Sequence, residues 1–382
     1  MKLALTAEER ALQTEVRAFL AEHAPDPAEV PETLDDRFAF LREWQARCYA
    51  AGYVGRSWPA EYGGGGRPTA EQLVVDQAFA EAGAPEFPSV VGLDVLGPAL
   101  LAFGTDEQRR RHVQPILSAD EIWSQGFSEP DAGSDLASLR TTASETEDGW
   151  VVDGQKTWIS WGQFSRWCGV LARTDPDAPK HKGISLLLVD TESPGVELRP
   201  MEQITGHAEF CELFLDGVSV PRDRILGAPG DGWKIAMHVV AHERGTAALP
   251  RQVLLRTWLD RLVGDVAATR VDDESLLDDD RARSALARAL VEIEVLRHHA
   301  SRTMSPFLSG GSVGPESSTV KLLMAQAEQT LGATALELLG DEASAGFWHE
   351  RYLYSRAATV YGGTQQIQRT IIADRVLALP QE

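Results

Sequence analysis

Four groups of residues have the types and spacing to do chemistry. Glu243 lies in a helical stretch where its neighbours three and four residues away are Val239, Val240, Thr246 and Ala247. An acid on so uncharged a stripe is desolvated, and desolvation raises its pKa toward the range of a general base. Arg244 points about 100° away around the same helix, among Val240, Ala241, Ala247 and Ala248, and could orient or balance charge there. Trp158 and Ser160 are two apart in a β-type run, which places an aromatic wall and a hydroxyl on one face of a strand. Ser128 and Ser134 flank a Pro-Asp-Ala-Gly turn whose backbone N–H groups and hydroxyls suit a polar heterocycle. Thr364 caps a helix marked by Ile367, Ile371 and Ile372, and the free N–H groups of its first turn suit an anionic or strongly polar ligand. Each group has a plain structural alternative: a solvated Glu-Arg surface pair, a core Trp, an ordinary Asx turn, a capped helix with no ligand.

The elements that must position these residues follow a helix, β, helix order. Residues 1–120 read as helical: Thr6 and Glu9 form a capping box ahead of Leu12, Val16, Phe19 and Leu20, and Thr105 and Gln108 open another helix in the same way. The Gly-rich stretch 58–66 between them is a loop. Residues 121–230 carry short β-type runs separated by Gly, Pro and Asp, at 150–152, 168–172, 184–190 and 210–215. In the last run both faces carry apolar groups, as in a strand covered on both sides. Residues 231–382 return to long helical segments, from Trp233 to about Val263, Arg281 to about Met304, Pro315 to Leu339, and after Thr364, which suggests a bundle. The six acids and no base of 271–280 read as a solvated linker.

Composition narrows the function. With 57 acidic and 36 basic residues the formal charge is -21, which argues against nucleic acid or an anionic membrane as a partner. At 382 residues, 43% apolar and 24% charged, the chain is an ordinary globular one of two or three modules. The first residues make no signal peptide and no run approaches membrane-spanning length, so a cytoplasmic protein is expected. Cys48, Cys168 and Cys211 fit neither a disulfide framework nor a zinc site, and the nine His show no metal-ligand spacing.

The stretches Gly126-Phe-Ser-Glu-Pro-Asp-Ala-Gly-Ser-Asp135, Gly154-Gln-Lys-Thr-Trp-Ile-Ser160 and Tyr361-Gly-Gly-Thr-Gln-Gln-Ile-Gln-Arg369, supported by Tyr62–Gly66 and Val218–Gly227, make the chain similar from end to end to the acyl-CoA dehydrogenases. The resemblance implies an α+β multidomain fold: a helical N-terminal domain, a β-barrel-like middle domain and a C-terminal four-helix bundle, with FAD and the acyl chain at their junction. It assigns the backbone around Gln125, Phe127 and Ser128, together with Trp158, Ser160, Thr364 and Gln366, to FAD, and Ser134 to the CoA moiety. Many members carry the catalytic Glu directly after the Tyr of the third motif, where this chain has Gly362. A minority branch carries it on the first helix of the C-terminal domain before an Arg, the position of Glu243 and Arg244. The resemblance therefore implies that Glu243 takes the α-proton, flavin N5 takes the β-hydride, and the Gly362 N–H polarises the thioester carbonyl. The Arg-x-x-Phe-Gly segment that meets the FAD pyrophosphate of a neighbouring subunit is absent, and Arg283 is the nearest substitute. Trp161 replaces the small polar residue common after Ser160.

Trp123–Pro130 and His181–Ser185 are similar to the bacterial branch that acts on steroid side chains and other bulky acyl-CoAs, so a branched, cyclic or long acyl-CoA is expected. Electron-transfer flavoprotein is the implied oxidant, and the implied assembly is a homotetramer or homodimer, with a heterotetramer as alternative. The rival readings are a flavin oxidase, a monooxygenase or a carrier-protein-bound acyl desaturase on the same fold, or a non-catalytic subunit of a heterotetramer.

Overall fold

A computed structural model describes residues 5–246, 248–308 and 314–380; the side chains of residues 27, 241–248, 307 and 308 lie outside the described set. Helices α1 (Ala7–His23), α2 (Leu34–Ala50), α3 (Thr69–Glu81), α4 (Gly97–Phe103) and α5 (Asp106–Ser118) come first. Strands β1 (Trp123–Gly126), β2 (Thr142–Glu145), β3 (Gly149–Ser160), β4 (Trp167–Arg173), β5 (Ile184–Asp190), β6 (Val196–Met201), β7 (Phe210–Pro221) and β8 (Ile225–Leu226) follow. Then come α6 (Gly232–Thr246), α7 (Ala248–Ala268), the short strands β9 (Arg270–Val271) and β10 (Glu274–Ser275), and α8 (Asp280–Leu308), α9 (Ser317–Leu339), α10 (Gly346–Ser355) and α11 (Gln365–Ile371). The chain forms two compact units, Met1–Ala24 with Leu73–Ala84 and Arg244–Glu382, and Pro25–Gln72 with Pro85–Glu243.

The second unit is organised by a mixed sheet of order β6-β7-β3-β2-β4-β5-β8, with β1 parallel to β4. Strand β4 is buried from Trp167 to Ala172, which explains its unbroken apolar run: Cys168, Val170 and Ala172 join the core with Val152, Ile159 and Leu213, while Trp167 and Leu171 join Leu96, Ile116 and Trp123 on the other side. Helix α6 belongs to this second core through Ile235, Ala236 and Val239. The capping box at Thr105 and Gln108 is present at the start of α5, and the Gln108 amide also donates to the carbonyls of Asp223 and Ile225 at 2.7 and 2.9 Å.

In the first unit α7, α8, α9 and α10 share one core, including Leu255, Leu262, Ile293, Leu296, Leu331 and Trp348, so a helical bundle is present as expected. Two features depart from the sequence pattern. The fourth helix of this core is α10, not the segment after Thr364 that the pattern offers, while the segment read from Trp233 to about Val263 is helical over Gly232–Thr246 and Ala248–Ala268. The acidic linker is not featureless: Asp272 and Asp273 take φ of 51° and 66° and close a two-residue hairpin between β9 and β10. The capping box at Thr6 and Glu9 opens α1 as read. Among the described residues no helix is long and apolar enough to cross a membrane.

Candidate active site

Strand β1 pairs with β4 so that Gln125 stands opposite Gly169, and the chain then runs through buried Phe127 and half-buried Ser128. The Ser128 carbonyl accepts from the Thr157 N–H at 3.0 Å, which lays the first motif directly against β3, the strand of the second. Pro130 and Asp131 form a tight turn closed by paired backbone bonds between Glu129 and Ala132 at 3.0 and 3.1 Å. Ser134 stands exposed beyond that turn, and Asp135 next to it pairs with Lys180 at 2.8 Å.

Two charged residues in these motifs, Glu129 and Lys156, are central to the arrangement although sequence reasoning assigned them nothing. Lys156 is fully buried and Glu129 is 7% exposed; Lys156 Nζ lies 2.7 Å from Glu129 Oε1 and donates to the Phe127 carbonyl at 3.3 Å. The Glu129 carboxylate also accepts from the N–H groups of Arg140 and Thr141 at 2.6 and 2.9 Å. Burial pushes the Lys156 ammonium down to about 8, against the attraction of Glu129. Burial would raise Glu129, but Lys156 and the backbone donors outweigh it and hold the carboxyl below its usual range. No local pattern reveals a pair 27 residues apart in the chain; its trace in sequence is only two unexplained charges within motifs.

Trp158 occupies a β-bulge, where the register with β7 slips between Lys156 and Ile159. The bulge resets the strand's alternation: Lys156 and Ile159 are both buried, Ser160 is half-buried, and Trp158 is 60% exposed. Its backbone φ is 61°, a region sparsely used by bulky residues, and the Phe210 ring meets it edge-on at 5.8 Å. Trp161 also has a positive φ, 54°, and sits 5.9 Å from Phe38, which stacks on Phe164 at 4.1 Å.

The third motif forms a turn with Gly362 and Gly363 at φ of 62° and 95°, values that favour glycine at both positions. Thr364 Oγ1 accepts from the Ile367 N–H at 3.3 Å, the expected cap, and Gln366 is exposed on the first turn of α11. Gln368, also missed by sequence reasoning, is fully buried and its amide donates to both glycine carbonyls, at 3.1 and 3.0 Å. Lys321 of α9, nearly buried, lies 3.7 Å from the centre of the Tyr361 ring. Arg283 stands in the first turn of α8, paired with Asp280 and donating to the Leu277 carbonyl at 3.4 Å. Glu243 and Arg244 lie on α6, but their side chains are outside the described residues; the backbone places Glu243 one turn beyond buried Val239, in line with Ile235.

Helical parts before and after a mixed sheet, with two motifs on its strands and a third in a Gly-Gly turn, make the multidomain architecture expected of an acyl-CoA dehydrogenase. Family models match throughout: acyl-CoA dehydrogenase N-terminal domain over residues 6–120, middle domain over 124–218 and C-terminal domain over 230–377. The chain belongs to the acyl-CoA dehydrogenase family, whose members are flavoprotein oxidoreductases. Among its relatives is the acyl-CoA dehydrogenase IpdE1 of Mycobacterium tuberculosis, 41% identical over 91% of this chain and 90% of that protein. Similar solved structures include the ChsE4-ChsE5 complex from Mycobacterium tuberculosis, at 29% identity and a TM-score of 0.86 over the whole of both chains. Another is the Tcur3481-Tcur3483 steroid ACAD, at 28% identity and a TM-score of 0.85, also over the whole of both chains.

Proposed function

We propose that this chain uses FAD to dehydrogenate an acyl-CoA thioester between Cα and Cβ, with Glu243 as the base. The observation that carries the reading is Trp158. A Trp held at φ 61° with most of its ring open is costly in backbone strain, and such strain persists where a ligand uses it. Its open face, beside half-buried Ser128 and Ser160, fits a flat polar heterocycle. FAD, when bound, supplies the two-electron acceptor for the hydride from Cβ. The chain's own residues do the rest. Phe127, Ser128, Trp158 and Ser160 hold the ring, Gln125 flanks it, and Thr364 and Gln366 bind polar groups of the cofactor, with Arg283 as a further candidate. Ser134 faces the CoA, the Gly362 N–H donates to the thioester carbonyl, and Arg244 orients the acid.

The carboxylate of Glu243 takes the α-proton as the Cα–H bond breaks. Its place past Ile235 and Val239 on α6 supports a desolvated base, and Gly362 leaves the third motif without an acid. Similarity to the Tcur3481-Tcur3483 protein, a steroid ACAD, favours a bulky cyclic acyl group, and the family resemblance implies electron-transfer flavoprotein as the oxidant. The test is anaerobic bleaching of the flavin by a panel of acyl-CoAs in the wild type and in Glu243→Gln. The variant should bleach at least about 100-fold more slowly; near-normal bleaching would sink the assignment. A second reading rests on the ChsE4-ChsE5 relative, which is a complex of two named chains. On that reading the purified chain stays unbleached by every thioester until a partner chain is added.

A further inference from the structure

Proton abstraction and hydride acceptance make no use of Glu129 and Lys156, yet these are the most deeply buried ionic groups beside the two motifs. Such pairs are seldom kept for stability alone, since apolar replacement of both partners is often neutral or stabilising. What distinguishes this pair is where its bonds end. Lys156 Nζ reaches the Phe127 carbonyl and the Glu129 carboxylate; Glu129 reaches back to the N–H groups of Arg140 and Thr141; and the next residue, Thr157, bonds the Ser128 carbonyl. Lys156 is also the last residue in register with β7 before the bulge that turns Trp158 outward.

Peptide planarity gives these bonds a direction. The Phe127 carbonyl faces Lys156, so the N–H of Ser128, trans across the same peptide, points the opposite way. An ammonium sealed at 0% exposure thus aims one backbone donor and pins the strand position from which the bulge begins. We propose that Glu129 and Lys156 are positioning residues for the cofactor platform: together they set the direction of the Ser128 N–H and the placement of Trp158. The inference rests on the reading of this chain as an FAD protein.

FAD itself is the probe, titrated into the apoprotein and followed by flavin fluorescence and by the visible band of the bound flavin, alongside thermal melts of the apoprotein. In the double variant Lys156→Met/Glu129→Gln no charge is buried, and the amide oxygen introduced at position 129 keeps an acceptor for one of the Arg140 and Thr141 N–H groups. It should still fold, melting below wild type for the one lost acceptor, bind FAD at least about ten-fold more weakly, and lose vibronic structure in the visible band. Wild-type affinity and spectrum in that variant overturn the proposal and leave the pair a packing feature. Should the double variant fail to fold, Glu129→Gln alone decides: it keeps shape and one acceptor oxygen, and unchanged FAD affinity and spectrum again overturn the proposal. Failure of the functional reading looks different, because then the wild-type chain itself binds no FAD.

Discussion

Replacing Gln368 with Leu should loosen ligand binding far more than it loosens the fold. Gln368 is fully buried and holds the Gly362 and Gly363 carbonyls through its amide N–H groups, while its Oε1 is buried without a hydrogen-bond partner. Gln368→Leu removes two hydrogen bonds, worth roughly 1 kcal/mol each. It also removes the orphaned oxygen, whose burial costs roughly 1–2 kcal/mol. Both glycines are half-buried, so water can reach their released carbonyls. The global change is therefore small, about 1 kcal/mol or less. The turn itself gains nothing from the vanished oxygen and loses about 2 kcal/mol of preference for its present shape, so its binding-competent population falls by about 30-fold. Those carbonyls face Gln368, hence the N–H groups of Gly363 and Thr364 face away from it, and these are the donors whose direction is lost. Urea melts of the apoprotein should move by no more than about 1 kcal/mol, while FAD affinity by fluorescence titration falls up to about 30-fold. A loss of several kcal/mol in the melts with FAD affinity intact would refute the reasoning and make Gln368 a core residue only.

His112 gives a pH test. It is buried between the rings of Trp123 and Trp167, and burial, with Arg111 next and Arg224 adding to it against the pull of Glu121, pushes its pKa down to about 4. Between about pH 6.5 and that value the unfolded chain binds a proton that the folded chain refuses, so wild-type stability falls as pH falls through this window. His112→Phe lacks this component, and by pH 4 the difference between the two urea-melt curves should have shifted by about 3 kcal/mol in favour of the variant; parallel curves would remove the argument. In the bundle, Arg251 Nη2 lies 2.7 Å from Glu328 Oε1, and Glu328 is only 4% exposed. Arg251→Met strands that carboxylate and should cost roughly 3 kcal/mol by urea melt, most of which Arg251→Met/Glu328→Leu should recover. Failure of the double variant to recover would show that the guanidinium matters through packing on Trp258 instead.

Whatever depends on neighbours within a few residues was legible in the sequence. The capping boxes at Thr6 and Thr105 and the Thr364 cap are of this kind, because helix caps are local hydrogen-bonding patterns, whereas β7, read as covered on both sides, buries Cys211, Leu213 and Leu215 and leaves Phe210 and Phe214 half-buried. The motifs that carry the family resemblance are contiguous and could be read too. Tertiary structure alone decided the rest. Strict alternation from Lys156 puts Trp158 and Ser160 on the buried face of β3, and only the bulge against β7 turns the strand so that Lys156 seals beneath it while Trp158 opens outward. The partners Glu129 and Lys156, or Arg251 and Glu328, are brought together by sheet register and helix packing, and a charge's burial is a property of what closes over it. Single residues announce the chemistry available to this chain; which of them are desolvated, and toward what they point, follows from the contacts that exclude water.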